Sequence, residues 1–325
     1  MATYKDIHGS KIQNVSSDPP TSVAGDLWYN STSGELKVNL GTPVVAWSTV
    51  NSLNQARTST SGAGTATAAI VVGGYSSTYL ADTEVWNGTN WTEVNNLNAA
   101  RNSTGSAGTS TSTLTFGGFP GGGPPTTQAG ATELWNGTNW TEVNDLNTAR
   151  RTLAGAGASN TAVIAMGGFL PPGTNVVETW NGTNWTEVND LNTPRYAAAG
   201  AGIQTAALLI GGAGGTPLTE SWNGSNWTEV NDLNTGREAL MGSGVQTSAL
   251  AYGGATPAGV TEQWNGTNWT EANDLNTARL RAASAGATNT SALASGGVPA
   301  PGTPSDVALV EQWSVSGGVS TIDLS

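Results

Sequence analysis

Apolar residues in this chain come in runs too short for helices. "AIVVGG" at 69–74 and "AALLIGG" at 206–212 each end in a glycine pair, and segments rich in Gly, Thr, Asn and Ser separate such runs throughout. No sustained helical periodicity is present. The pattern predicts many short strands joined by tight turns.

The pattern also repeats. "WNGTNWTEVNDLNTAR" occupies residues 135–150, and near-copies begin at Trp86, Trp180, Trp222 and Trp264. The second tryptophans are Trp47, Trp91, Trp140, Trp185, Trp227 and Trp269, at steps of 44, 49, 45, 42 and 42 residues. Each unit reads as four strands. An arginine (Arg57, Arg101, Arg150, Arg195, Arg237, Arg279) precedes a strand of small residues, and a second, apolar strand ends in the glycine pair. The third strand carries Glu-x-Trp, as in Glu84 to Trp86, and the fourth is "NWTEV". "NGTN" joins them, and Asn-Gly favours a tight hairpin because both residues tolerate positive φ. Four short antiparallel strands at this period describe a propeller blade. Trp47 has no first tryptophan before it and Trp313 no second after it, so these halves make one more blade from both ends of the chain. Closure is therefore expected, since an open solenoid needs capping repeats.

The order of Arg, glycine pair, Glu-x-aromatic and a following Trp resembles the kelch repeat over residues 43–315. It departs from that pattern in carrying Trp where Tyr is common. The resemblance implies an all-β fold, a six-bladed kelch-like β-propeller at 43–316. It implies little about function, because propellers host binding modules, scaffolds and enzymes alike. Residues 1–42 then form an N-terminal arm with a β-hairpin in "GDLWYNSTSGELKV", preceded by turn and linker composition, and 317–325 form a C-terminal tail. "SSDPPTSVAGDLWYNSTSGELKV" is similar to short modules in bacteriophage tail and fibre proteins. That similarity implies an arm docking on other virion proteins, in multiple copies, with the propeller displayed outward.

Composition narrows the chemistry. The net charge is −12 with eleven Lys and Arg spread thinly, so nucleic acid and anionic membranes are not expected partners. There is no cysteine, which removes disulfides and thiolate metal sites. No signal peptide and no membrane-length apolar run are evident, in keeping with a virion protein made in a host cytoplasm. His8 is the only histidine, too little for the copper site of galactose-oxidase-like kelch enzymes or for a catalytic triad. No cofactor and no enzymatic activity are expected. Asp145, Asp190, Asp232 and Asp274 suit turns better than cation loops, because Ser52 and Asn96 replace them elsewhere. The Asn-x-Ser/Thr sequons of the hairpins are read as turn residues. The tryptophans are read as packing between blades, and the six Arg and six Glu as structural pairs.

What varies is the segment after each glycine pair: "YSSTYLADT", "FPGGGPPTTQAGAT", "FLPPGTNVV", "AGGTPLT", "ATPAGVT" and "VPAPGTPSDVAL". A uniform scaffold with divergent loops on one rim is the pattern of a recognition surface, and drift in tolerant loops is the alternative. The candidate binding residues are Tyr75, Tyr79, Phe119, Gln128, Phe169, Leu170, Asn175 and Asp306. The leading expectation is a virion tail or fibre component binding a host-surface glycan or protein. A bacterial kelch-type interaction scaffold and a glycan-active propeller enzyme are the alternatives.

Overall fold

The computed structural model describes residues 12–20, 22–40, 44–121, 128–255, 259–299, 305–316 and 319–322. His8 and parts of the second, fifth and sixth variable segments lie outside them. The described residues are all-β, with no helix. They divide into two units, Trp47–Ser314 and a smaller one of Met1–Ala46 with Val315–Ser325.

The larger unit holds six four-stranded antiparallel sheets, an architecture consistent with a β-propeller. The third is representative: Ala154–Ser159, Ala162–Met166, Val177–Trp180 and Trp185–Glu187 pair in sequence order. The sixth sheet is assembled differently. Ala283–Thr288, Ser291–Ser295 and Val310–Ser316 are completed by Val44–Val50 from the opposite end of the chain. Trp47 and Trp313 lie 5.4 Å apart across that junction.

The first strands of the six sheets line one narrow cavity of about 90 Å³. Their small residues allow backbones to touch. A Cβ on Gly155 would stand 2.8 Å from the Ser106 carbonyl oxygen, and one on Gly200 would stand 2.7 Å from that of Gly155. Beside these strands the backbone makes a closed circuit of hydrogen bonds. Ser103 donates to Ser59, Thr152 to Ser103, Ala197 to Thr152, Ala239 to Ala197, Arg281 to Ala239 and Ser59 to Arg281, at 2.8–3.0 Å. All six residues have φ between 48° and 56°. Side-chain-bearing residues avoid this region at a cost of about 1–3 kcal/mol each, so the circuit must over-determine it.

Each repeat arginine is shared between two sheets. In the third sheet, Arg150 pairs with Glu178 at 2.5 Å, while its own carbonyl accepts the Gly118 amide of the second sheet at 2.9 Å. The first glycine of that pair, Gly117 at φ +66, would put a Cβ 2.6 Å from the same carbonyl. The other oxygen of Glu178 accepts the backbone and side-chain amides of Asn147, both at 2.8 Å. The carboxylate thus pins the whole Asn147-to-Arg150 connection between sheets. The sixth sheet closes on the first the same way, with Gly297 donating to the Arg57 carbonyl at 2.8 Å.

All thirteen tryptophans are buried, at 0–7% exposure. The first of each pair donates within its own sheet, as Trp180 does to the Asn160 carbonyl at 3.0 Å. The second donates to a threonine of the preceding sheet. Trp140 reaches Thr83, Trp185 reaches Thr132, Trp269 reaches Thr219 and Trp47 reaches Thr261, at 3.0–3.2 Å. Trp91 and Trp227 have no partner for their indole N–H. They pack in clusters with Val310 and Val177, the two sheets in which valine precedes the glutamate instead of threonine.

In the smaller unit, Leu27–Asn30 and Glu35–Asn39 pair as an antiparallel hairpin. The segment read as linker contributes a strand, Gln13–Val15, parallel to Leu27–Asn30. Val319–Thr321, expected to be part of a separate tail, pairs with Glu35–Asn39. A parallel neighbour needs a long crossover, and Asp18 anchors this one. Its carboxylate accepts from the Trp28 indole at 3.0 Å, Asn30 Nδ2 at 2.8 Å and Lys37 Nζ at 3.1 Å.

Val177→Thr and Val310→Thr should each supply the missing acceptor and raise stability by about 0.5–1.5 kcal/mol, read as a higher urea midpoint. Thr83→Val should lower it by a similar amount. In the smaller unit, the hydrogen bonds from Asn30, Trp28 and Lys37 hold the Asp18 carboxyl below its usual value. A depressed carboxylate contributes stability above its unfolded pKa, near 3.9, and loses it as pH falls through the folded value. The Trp28 indole NMR signal should therefore shift toward its unfolded position below about pH 4, and Asp18→Asn should remove that acid transition.

Candidate recognition face

The two ends of each sheet differ in what they leave available. At one end are the "NGTN" hairpins. Asn87 Oδ1 accepts the amides of Thr89 and Asn90, at 2.9 and 2.8 Å, which closes the turn. Asn51, just after the fourth strand of the preceding sheet, donates to the Thr89 carbonyl and Asn90 Oδ1. Equivalent bonds link Asn95 with Asn139, Asn144 with Asn184, Asn189 with Asn226 and Asn231 with Asn268. The polar groups of this face are largely used on one another.

The other end carries the connections between sheets and the segments after the glycine pairs. Short bridges tie the two together: Thr58 with Tyr75, Asn102 with Phe119, Arg151 with Phe169, Glu238 with Ala255, and Leu280 with Val298. In the first sheet the expected loop is instead an extension of the hairpin, with Tyr75 opposite Tyr79.

The aromatic candidates come together here. Tyr75 meets Tyr79 edge-on with ring centroids 5.5 Å apart, and Tyr79 lies 5.7 Å from Phe119. The Arg151 guanidinium carbon stands 5.0 Å from both the Phe119 and the Phe169 centroids. Phe169 then meets Tyr196 edge-on at 4.9 Å. The result is a row of six side chains running from the first sheet to the connection entering the fourth. Backbone seats part of it, since a Cβ on Gly121 would stand 3.0 Å from Tyr79 Cβ and one on Gly173 would stand 3.3 Å from Tyr196 Cδ1.

Exposure varies along the row. Tyr75 is the open end at 37%, whereas Phe119 is 8% exposed and forms part of a short ladder instead of a loop tip. Leu170 is exposed at 38% beside Phe169. Gln128, Asn175 and Asp306 are half-buried and contribute nothing to the row. Asn175 accepts the Leu191 amide through its carbonyl, and burial raises the Asp306 carboxyl pKa.

Arg151 and Tyr196 were not among the candidates. Each follows a repeat arginine, at a column occupied across the six units by Thr58, Asn102, Arg151, Tyr196, Glu238 and Leu280. That variability inside an otherwise uniform connection was the available signal. The residues following the glycine pairs in the last three sheets are Ala213, Ala255 and Val298, so the row stops where side chains become small or aliphatic.

The repeat ion pairs offer no comparable opening. All six are buried, with nitrogen-to-oxygen distances of 2.5–3.0 Å. Burial lowers the pKa of Arg57, Arg101, Arg150, Arg195 and Arg279, and the facing glutamate opposes that shift. Arg101 and Glu133 are close at 3.0 Å but poorly aligned for a hydrogen bond. Among the described residues, no group of three or more His, Cys, Asp or Glu side chains could hold a metal ion.

Glu178→Gln should leave Arg150 charged and uncompensated in the interior, at a cost of about 3–5 kcal/mol. Thermal or chemical denaturation would register that loss. No protein-family model and no curated protein matches this chain.

Proposed function

We propose that this chain is a bacteriophage virion structural protein, a tail or fibre component whose six-bladed, kelch-like propeller recognises the host surface. The reading rests mainly on the contrast between the two ends of the sheets. One end uses its asparagines on itself, while the other carries the divergent segments and an aromatic row seated on backbone. Aromatic rings fixed by packing offer contact area at low entropic cost, which suits sugar rings or a protein surface. The N-terminal segment's similarity to phage tail and fibre modules supports attachment of the arm to other virion proteins, in several copies. The pattern of Arg, glycine pair and Glu-x-Trp supports the kelch-like assignment.

Surface labelling of bacteria tests the reading. Fluorescently labelled full-length chain, applied to a panel of bacterial strains, should decorate a subset of them. The combined Tyr75→Ser, Tyr79→Ser and Phe169→Ser variant should lose decoration while keeping its melting temperature within a few degrees. Thr89→Ser with Thr138→Ser, at the hairpin end, should retain it. Decoration of no strain, or its loss only with the hairpin changes, would reject the proposal.

A further inference from the structure

We infer that the row from Tyr75 to Tyr196 is a subsite for a carboxylate-bearing glycan. Arg151 would receive the sugar acid, and the adjoining rings would receive the apolar faces of neighbouring sugars. The inference rests on the reading of this end as the recognition face and assigns it a ligand class.

Arg151 is set apart from the other arginines by its surroundings. The chain has eight arginines, and the six of the repeat are consumed in buried pairs with glutamates. Arg151 has no carboxylate partner among the described residues, and the sequence 122–127 contains no acid. Its guanidinium lies over two aromatic rings, Phe119 and Phe169. This contact satisfies the cation through the ring quadrupoles but uses none of its five N–H donors. A planar donor fork with no acceptor among the described residues is complementary to a carboxylate. The flanking rings also restrict the side chain, so little freedom remains to be lost when a ligand binds.

The rings on either side decide what else the ligand must present. Tyr75 and Tyr79 on one flank, and Tyr196 on the other, offer apolar area with a hydroxyl at the edge. A sugar has the matching character, with an apolar ring face and polar rim. Several adjoining rings suit a short chain of sugars better than a single unit. Net charge narrows the choice further. At −12 the protein repels dense polyanions over long range, which disfavours phosphate polymers. It tolerates one carboxylate met by one local cation, screened from distant charges at physiological salt.

Titration calorimetry on the full chain tests this, with sialyllactose and a glucuronate-terminated disaccharide as acidic probes. Lactose and the methyl esters of both acids are the neutral controls. At least one acid should bind about tenfold or more tightly than its ester. Arg151→Gln should remove that preference without changing the melting temperature, and Arg151→Lys should restore it in part. Tyr75→Ala should weaken acid and ester alike. Equal binding of acid and ester, an undiminished preference in Arg151→Gln, or no binding of either acid up to about 1 mM would overturn the inference. If Arg151→Gln fails to fold, Tyr79→Phe and Tyr75→Ala still test the row, and undiminished sialyllactose or disaccharide binding in both overturns it. Cell labelling separates the two levels. Arg151→Gln that still decorates cells while Tyr75→Ser, Tyr79→Ser, Phe169→Ser does not would reject the acidic ligand and leave the recognition face standing.

Discussion

A sheet built from glycine, alanine and threonine has little side-chain volume with which to grip its neighbour. In this protein the grip is supplied by the repeat arginine, whose two ends belong to different sheets. Its guanidinium is held by the glutamate of one sheet, and its carbonyl lies on the glycine pair of the sheet before. Neither half would suffice alone. A buried ion pair is a weak source of net stability, yet it fixes the position of the backbone between its members. The glycine pair then docks because no Cβ intervenes.

Several other features depend on that grip. With the connections fixed, the first strands can approach closely enough to exclude side chains, and the amides of Ser59 to Arg281 close into a ring. Tryptophans pack in the clusters that join neighbouring sheets. Each buried indole removes about 150–250 Å² from water, and its N–H must still find an acceptor. The threonine preceding the glutamate provides one for the second tryptophan in four places, and the two valines leave Trp91 and Trp227 unsatisfied. Trp, Thr, Glu, Arg and the glycine pair therefore act as one interlocking set, which is why they recur together.

The same economy leaves the other end of the sheets free of these contacts. Structural polarity is concentrated in the buried pairs and the asparagine contacts of the hairpins. The aromatic row sits where the connections and the variable segments meet, on positions the grip does not need. Its members are held by ring contacts and loop backbone, so they can differ among the sheets without disturbing the repeat.

The strands, their period and the split sheet were legible in the sequence, because these follow from local patterning: apolar runs, Asn-Gly turns, and two unmatched tryptophans. It also exposed four of the six row residues, since aromatics stand out among Gly, Pro and Thr. It marked Arg151 and Tyr196 only by the variability of their column, because they sit inside a connection and join the row only when the third and fourth repeats are brought beside the second. The strand at Gln13–Val15 was likewise hidden, because its partner is parallel and its crossover is polar. Least legible was the amide circuit. Ser59, Ser103, Thr152, Ala197, Ala239 and Arg281 share no side-chain type, because the interaction that unites them is made by backbone alone. Such a contact exists only in the assembled fold, since closing a ring of backbone hydrogen bonds requires all six sheets to be in place at once.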